Sequence, residues 1–206
     1  VVAAGTSDAE RQAAAGRYHR LSPFDADARN LVGEIYDDLG RHASFAGILF
    51  HDDAMLAEDE DGSAAALRTY AGWGLPADVA AIRADAAAQA SWSERKSRHL
   101  VDFTLVLAER LRTWHPTLRT ARNMYARPML EPQARDWMGQ DYRQFLGAYD
   151  YTAVMAMPAM EQVADAQAWL TSLARVAAAT PGGLERTVFE LQARDWRTGR
   201  PVPDIE

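Results

Sequence analysis

Apolar residues along the chain fall into two kinds of run. Four short runs rich in apolar and β-branched residues read as strands: 45–50 (FAGILF), 119–125 (RTARNMY), 151–157 (YTAVMAM) and 187–192 (TVFELQ). Between them the apolar positions recur at helical spacing. Residues 25–40 carry Leu31, Ile35 and Leu39 four apart, with Asp25 or Asp27 placed to cap the helix. Residues 92–114 repeat core-type positions at 92, 99, 100, 103, 107, 111 and 114, behind a cap at Ser91 or Ser93. Segments 131–149 and 161–178 show the same period, and Thr180-Pro-Gly-Gly closes the second of them.

Strands that alternate with helices of this length imply parallel pairing through right-handed crossovers. The two architectures to weigh are an open doubly wound sheet and a (β/α)8 barrel. A nucleotide-binding open sheet carries a Gly-rich turn after its first strand, and this chain has none there. Polar residues gather instead behind several strand ends: His51-Asp52-Asp53, Tyr125-Ala126-Arg127, Glu161 and Asp195-Trp196. Reactive groups drawn from several strand ends are a barrel habit. The predicted fold is α/β, a TIM-like (β/α)8 barrel of which four strands supply only the middle part. Residues 1–206 then form part of one domain, with an acidic and Ala-rich insertion at 57–89 after the first strand.

Composition narrows the chemistry. The content of 48% hydrophobic and 25% charged residues is that of an ordinary globular chain. A net charge of −7 argues against a nucleic-acid partner and favours a neutral or cationic one. No apolar run reaches the roughly 18 residues that span a bilayer. The opening VVAAGTSDAE lacks the basic and apolar regions of a signal peptide, and the missing initiator Met makes an excerpt of a longer precursor the expectation. Cysteine is absent, which excludes thiolate catalysis, Cys-based zinc sites and disulfides. Six Trp and seven Tyr supply flat rings on which sugars stack, although most Trp residues fill cores.

The densest chemistry lies in HDDA, residues 51–54. Asp52 and Asp53 are adjacent, and side chains alternate along a strand, so the two cannot point the same way while the chain stays extended. Paired carboxyls that repel raise one pKa and create an acid usable near neutral pH, as glycoside hydrolysis requires. The plainer use is a helix cap for a helix entering at Ala54-Met55-Leu56. His51 beside two aspartates also suggests a metal, but the other histidines are scattered and no His-x-x-x-His occurs. The acidic run from Glu58 to Asp61 reads as a solvated loop or as a lure for a polycation. Arg122 and Asn123 within a strand call for partners such as the Asp52 carboxylate. Glu190 at mid-strand is a barrel-lumen residue or an ion-pair partner. Trp196 is a candidate sugar platform. Trp92, Trp114, Trp137 and Trp169 fall on apolar helix faces and read as core, and Trp73 in GWG suits either use. Residues 17–24 place Tyr18 where it can reach the same mouth as Asp53, or else form a staple with Ser22 as cap and Pro23 at the first helical position.

YHRLSPFD, GILFHDDA, KSRHLVDFT, TARNMYARP, YDYTAVMAMP and ELQARDW, in this order and spacing, resemble the C-terminal domain of periplasmic poly-β-1,6-N-acetylglucosamine N-deacetylases of the PgaB type. The likeness runs from about Tyr18 to Trp196. It implies a (β/α)8 barrel that binds and cleaves the partially deacetylated exopolysaccharide of biofilms. It further implies Asp53 as the essential acid, Asp52 as a binding or orienting carboxylate, and Tyr18 and Trp196 lining the sugar groove. His51, Glu58, Asn123 and Glu190 complete the expected substrate contacts. No cofactor and no metal are expected. The resemblance leaves strands upstream of YHRLSP and a segment downstream of ELQARDW without counterparts here, and it lacks the deacetylase domain. That domain is expected elsewhere in the same longer polypeptide, in the periplasm and associated with the outer membrane. A non-catalytic module that holds the deacetylated polymer for export remains the alternative, and a cofactor-free barrel of other hydrolytic chemistry is a weaker third.

Overall fold

In the computed structural model of the protein, which describes residues 20–202, acidic and hydroxyl side chains set most helix starts. The elements in chain order are α1 (Ala26–His42), β1 (Gly47–Phe50), α2 (Ala64–Gly72), α3 (Val79–Ala84), α4 (Ala86–Arg112), β2 (Arg119–Tyr125), α5 (Arg127–Leu130), a 3-10 turn (Pro132–Ala134), α6 (Arg135–Met138), α7 (Tyr142–Ala148), β3 (Tyr151–Ala156), α8 (Pro158–Glu161), α9 (Ala166–Ala179), α10 (Gly183–Arg186) and β4 (Thr187–Leu191). Asp25, Ser63, Asp78, Asp85, Asp141 and Asp165 each accept from a helix N–H three residues on. Each such cap satisfies an otherwise orphaned donor and is worth about 1 kcal/mol. Asp85 explains why α4 starts at Ala86 and not at the predicted 92. The Ala-rich stretch behind that cap has high helix propensity, and Ser93 lies buried inside the helix. The predicted helix 131–149 is broken instead at Gly139, whose φ of +63° is left-handed, and restarts behind Asp141. The predicted helix 161–178 begins only at Ala166, because Gln162 at φ +56° ends the short α8.

The described residues fall into two units stitched from alternating segments. The first takes the described part of Val1–Phe45 with Met55–Leu118 and Arg135–Gly139. The second takes Ala46–Ala54, Arg119–Ala134 and the described part of Gln140–Glu206.

The first unit is helical. Phe24, Leu56, Tyr70, Ile82, Trp92 and Leu100 are buried in one cluster, with Tyr70 edge-on to both Phe24 and Trp92. Helices α1 and α4 meet through glycines. A Cβ at Gly33 would stand 2.5 Å from Arg110 Cζ, and one at Gly40 would stand 2.7 Å from Trp114 Cδ1. Arg110 also pairs with Asp37 at 2.6 Å. This close approach selects the glycine face of α1, so the predicted core stripe of Leu31, Ile35 and Leu39 is 50%, 58% and 40% exposed. Of the Trp residues expected in cores, Trp92 is buried, Trp137 and Trp169 are half-buried, and Trp114 is exposed beneath Arg41. Trp73 is half-buried against the cluster. The acidic run is not a uniformly solvated loop. Asp61 is fully buried and accepts from Ser22 Oγ and the Ser63 N–H, while Glu60 takes a bond from Arg20 at 2.6 Å. Ser22 is thus a donor to Asp61 and not the helix cap. Lys96, also fully buried, donates to the Ala57 and Glu60 carbonyls, both at 2.8 Å, and stands 3.6 Å from the centre of the Trp92 ring.

The second unit holds a four-stranded sheet in the order β1-β2-β3-β4, parallel throughout. A doubly wound sheet reverses its strand order at a switch point, whereas a barrel adds each strand beside the last. The sequential order here is the barrel pattern, with four strands of the eight. β2 and β3 are buried along most of their length; β1 and β4, outermost among the described residues, are more exposed. Tyr149 packs at 6.1 Å from Phe50 and edge-on at 5.8 Å from Phe145 of α7, covering one face of the sheet. No described helix is long and apolar enough to cross a membrane.

Candidate active site

β1 ends at Phe50, and Asp52 and Asp53 form a turn that enters no helix. The next helix is α2, with Ser63 as its cap, so the capping use of the two aspartates is overturned. A turn that leaves a sheet must find new partners for its main-chain groups. Two buried side chains supply them. Arg122 of β2 is paired in register with Phe50, and its guanidinium donates to the His51 carbonyl at 2.5 Å and the Ala54 carbonyl at 2.6 Å. Gln140 donates to the Asp52 carbonyl at 3.2 Å and accepts from the Tyr125 N–H at 3.0 Å. Arg122 therefore grips the main chain on either side of the aspartates. Its guanidinium also lies 5.3 Å from the centre of the Phe145 ring.

These braces present two aspartates in opposite environments. The Asp52 side chain is 5% exposed and that of Asp53 is 86% exposed. His51 Nδ1 stands between them, 2.7 Å from Asp52 Oδ1 and 3.4 Å from Asp53 Oδ2. The Asp52 Oδ1 contact is close but poorly aligned for a hydrogen bond, which leaves that buried oxygen without a well-directed donor. Tyr125 ends β2 close enough to feel the charge of Asp52. Burial and the nearby Asp52, Asp53 and Glu161 carboxylates push the Tyr125 phenol up to about 12. His51, Asp52 and Asp53 also bring three donor atoms within 4.8 Å of one another, a spacing that can admit an ion. Three consecutive residues fall short of the four ligands of a closed site, and the imidazole is already engaged with both carboxylates.

The other expected contacts are distributed. Asn123, buried, donates to Glu190 Oε2 at 2.6 Å, so each satisfies the other across the sheet. Asn123 lies two residues before Tyr125 and so shares its face of β2. Trp196 is 64% exposed on the loop after β4. Arg197 ties that loop to α8 by donating to the Ala159 and Met160 carbonyls, both at 3.1 Å. Glu58 belongs to the first unit, exposed and 3.5 Å from Arg83. Tyr18 lies outside the described residues. Tyr125 and Gln140 were not among the sequence candidates. Tyr125 was visible as a polar residue at a strand end, but a single buried Gln carries no periodic or motif signal.

The model of the hypothetical glycosyl hydrolase family 13 matches residues 1–206. Poly-beta-1,6-N-acetyl-D-glucosamine N-deacetylases of Escherichia coli strain K12 and of Escherichia coli O157:H7 are each 42% identical to this chain over 195 residues. The match covers 93% of the chain but only 29% of each relative. The solved structure of the PgaB (BpsB) glycoside hydrolase domain from Bordetella bronchiseptica is similar at a TM-score of 0.89 and 45% identity, over 98% of this chain and 57% of that one.

Proposed function

The chain belongs to the hypothetical glycosyl hydrolase family 13, and from that premise we propose that it cleaves partially deacetylated poly-β-1,6-N-acetylglucosamine with Asp53 as general acid. The observation that carries this reading is the pairing of an exposed Asp53 with a buried Asp52 on one braced strand tip, joined through His51. The exposed carboxyl reaches a polymer; the buried one supplies fixed negative charge behind it. The facing oxygens of the two lie within 4.8 Å, short of the roughly 6.5–9.5 Å by which an inverting pair makes room for water. Two carboxyls on one side of the sugar suit a substrate-assisted route.

In that route the 2-acetamido oxygen attacks C1 of its own ring as the bond from C1 to the glycosidic oxygen breaks. Asp53 gives its proton to the departing oxygen. Asp52, through His51, orients Asp53 and offsets the positive charge that builds on the oxazolinium ring. Water then attacks C1, Asp53 takes its proton back, and the acetamido group is restored with the anomeric configuration retained. The ring at the cleaved bond must be acetylated. Its free-amine neighbours are cationic, which fits a chain of net charge −7. Tyr18 and Trp196 are assigned to the groove walls, and Glu58, Asn123 and Glu190 to polar contacts with the polymer. A deacetylase region in the same longer polypeptide supplies the substrate, in the periplasm and at the outer membrane.

The test is Asp53→Asn assayed on deacetylated oligomers by mass spectrometry. The unaltered chain yields shorter products and the variant yields none, with its fold intact by circular dichroism. Binding without shortening by the unaltered chain selects the export-module alternative.

A further inference from the structure

We infer that Gln140 is a positioning residue for this reaction: its amide N–H holds the peptide group between Asp52 and Asp53 and so sets where the exposed Asp53 carboxyl stands. The inference rests on the hydrolase reading above and deepens it.

Gln140 is a single residue between two helices. Gly139, at φ +63°, ends α6, and Asp141 opens α7 by accepting from the Gln144 N–H at 3.0 Å. Gln140 itself is fully buried, and both halves of its amide are used. Oε1 accepts from the Tyr125 N–H at the end of β2, at 3.0 Å, and Nε2 donates to the Asp52 carbonyl just past the end of β1, at 3.2 Å. Both partners are main-chain groups of fixed role, so the amide has one orientation: turned over, it would set donor against donor and acceptor against acceptor. The Asp52 carbonyl belongs to the peptide that joins Asp52 to Asp53. A peptide is planar, so fixing its oxygen fixes the direction in which the chain enters Asp53. Arg122 holds the His51 and Ala54 carbonyls at the two ends of the turn, and Gln140 holds the one between the aspartates. The Asp53 side chain is largely exposed, so packing does little to place it, and its position follows the main chain that carries it. The donor half of the amide is thus the part on which the reaction depends, and the acceptor half serves Tyr125.

The experiment separates the two halves. Gln140→Met removes both bonds at similar size, whereas Gln140→Glu always keeps an acceptor but donates only while its carboxyl is protonated. Gln140→Met is expected to lower kcat about ten- to a hundredfold with KM within about threefold, the mark of a proton donor displaced by about 1 Å while the groove still binds. For Gln140→Glu, the ratio of its kcat to that of the unaltered chain should fall as pH rises and the new carboxyl loses its proton. The titratable and charged groups that meet at this turn are His51, Asp52 and Asp53 from the β1 tip, Arg122 and Tyr125 from β2, and Glu161 from α8; both proteins share them, so the ratio isolates the new carboxyl. A merely structural loss gives a ratio flat in pH, and an added charge acting through space holds the proton on Asp53 longer and makes the ratio rise. Nuclear magnetic resonance reads the brace without catalysis. The Tyr125 N–H should exchange faster in Gln140→Met and stay protected in Gln140→Glu, and the Asp53 amide nitrogen, part of the braced peptide, should shift in Gln140→Met. Gln140→Glu, which has the shape of the native side chain, carries the test if Gln140→Met does not fold. A Gln140→Met kcat within about twofold of the unaltered chain, a Gln140→Glu ratio that is flat or rises with pH, or resonances indifferent to Gln140→Met each overturns the proposal. Failure of the unaltered chain to shorten the polymer overturns the hydrolase reading instead, while the resonances still report whether Gln140 braces the turn.

Discussion

Replacing Arg122 tests the brace on which the aspartates depend. Arg122 is 1% exposed, and its guanidinium reaches two carbonyls, His51 at 2.5 Å and Ala54 at 2.6 Å, with the Phe145 ring on its flank. A hydrogen bond from a charged donor is worth about 1.5–3 kcal/mol net. Arg122→Lys keeps the charge, but a single ammonium cannot reproduce the planar fork, so one bond and the ring contact are lost, at about 2 kcal/mol. Arg122→Met removes both bonds and strands the two carbonyls, at about 4 kcal/mol, a large share of the roughly 5–15 kcal/mol that holds a typical protein folded. Urea unfolding followed by tryptophan fluorescence measures both losses. Hydrolysis should fall in the same order, since the gripped carbonyls flank Asp52 and Asp53. An Arg122→Met variant within about 1 kcal/mol of the parent would refute the brace, because surface-like tolerance is incompatible with two short bonds from a buried charge.

Two further outcomes come from the geometry. Gly183→Ala would place a Cβ 2.2 Å from the Ala177 carbonyl oxygen and should cost about 3 kcal/mol, whereas at Gly147, in a helix with nothing within 4 Å, the same change should stabilise by about 0.5–1 kcal/mol; thermal unfolding of the two variants should shift in opposite directions. Burial lowers the Lys96 ammonium to about 7 from its ordinary 10.5. Between those values the unfolded chain holds a proton that the folded chain has released, so stability should rise with pH by up to about 1.4 kcal/mol per unit, and flatten below 7. The neutral amine still has two N–H groups for its two carbonyls, so the loop stays held. Urea midpoints across this window, compared with Lys96→Met, should show a slope that the variant lacks.

The strands were legible because each is a short apolar run, and the four strands among the described residues lie within the predicted ranges, with β2 matching its range at both ends. Helix ends were less so. A cap competes with the helix propensity of the residues behind it, and Asp85 with its alanines outweighed two serines nearer the apolar stripe. Spacing alone also misjudged α1, where glycines and an Arg–Asp pair chose the buried face over three aliphatic side chains. At the site, the adjacency of His51, Asp52 and Asp53 was plain from the sequence, but their contrast in burial was not. The turn that sets them is held by Arg122 and Gln140, which arrive from some 68 to 88 residues downstream and satisfy main-chain groups that no side-chain motif records.

The interleaving of the two units has an evolutionary corollary. The chain passes from one to the other at 45/46, 54/55, 118/119, 134/135 and 139/140, so neither is a contiguous cassette. No single crossover between genes can transplant the aspartate-bearing sheet without its helical companion. A library that shuffles contiguous blocks therefore divides both units at once, and exchanges that keep the segments of each unit together need joins at those five junctions.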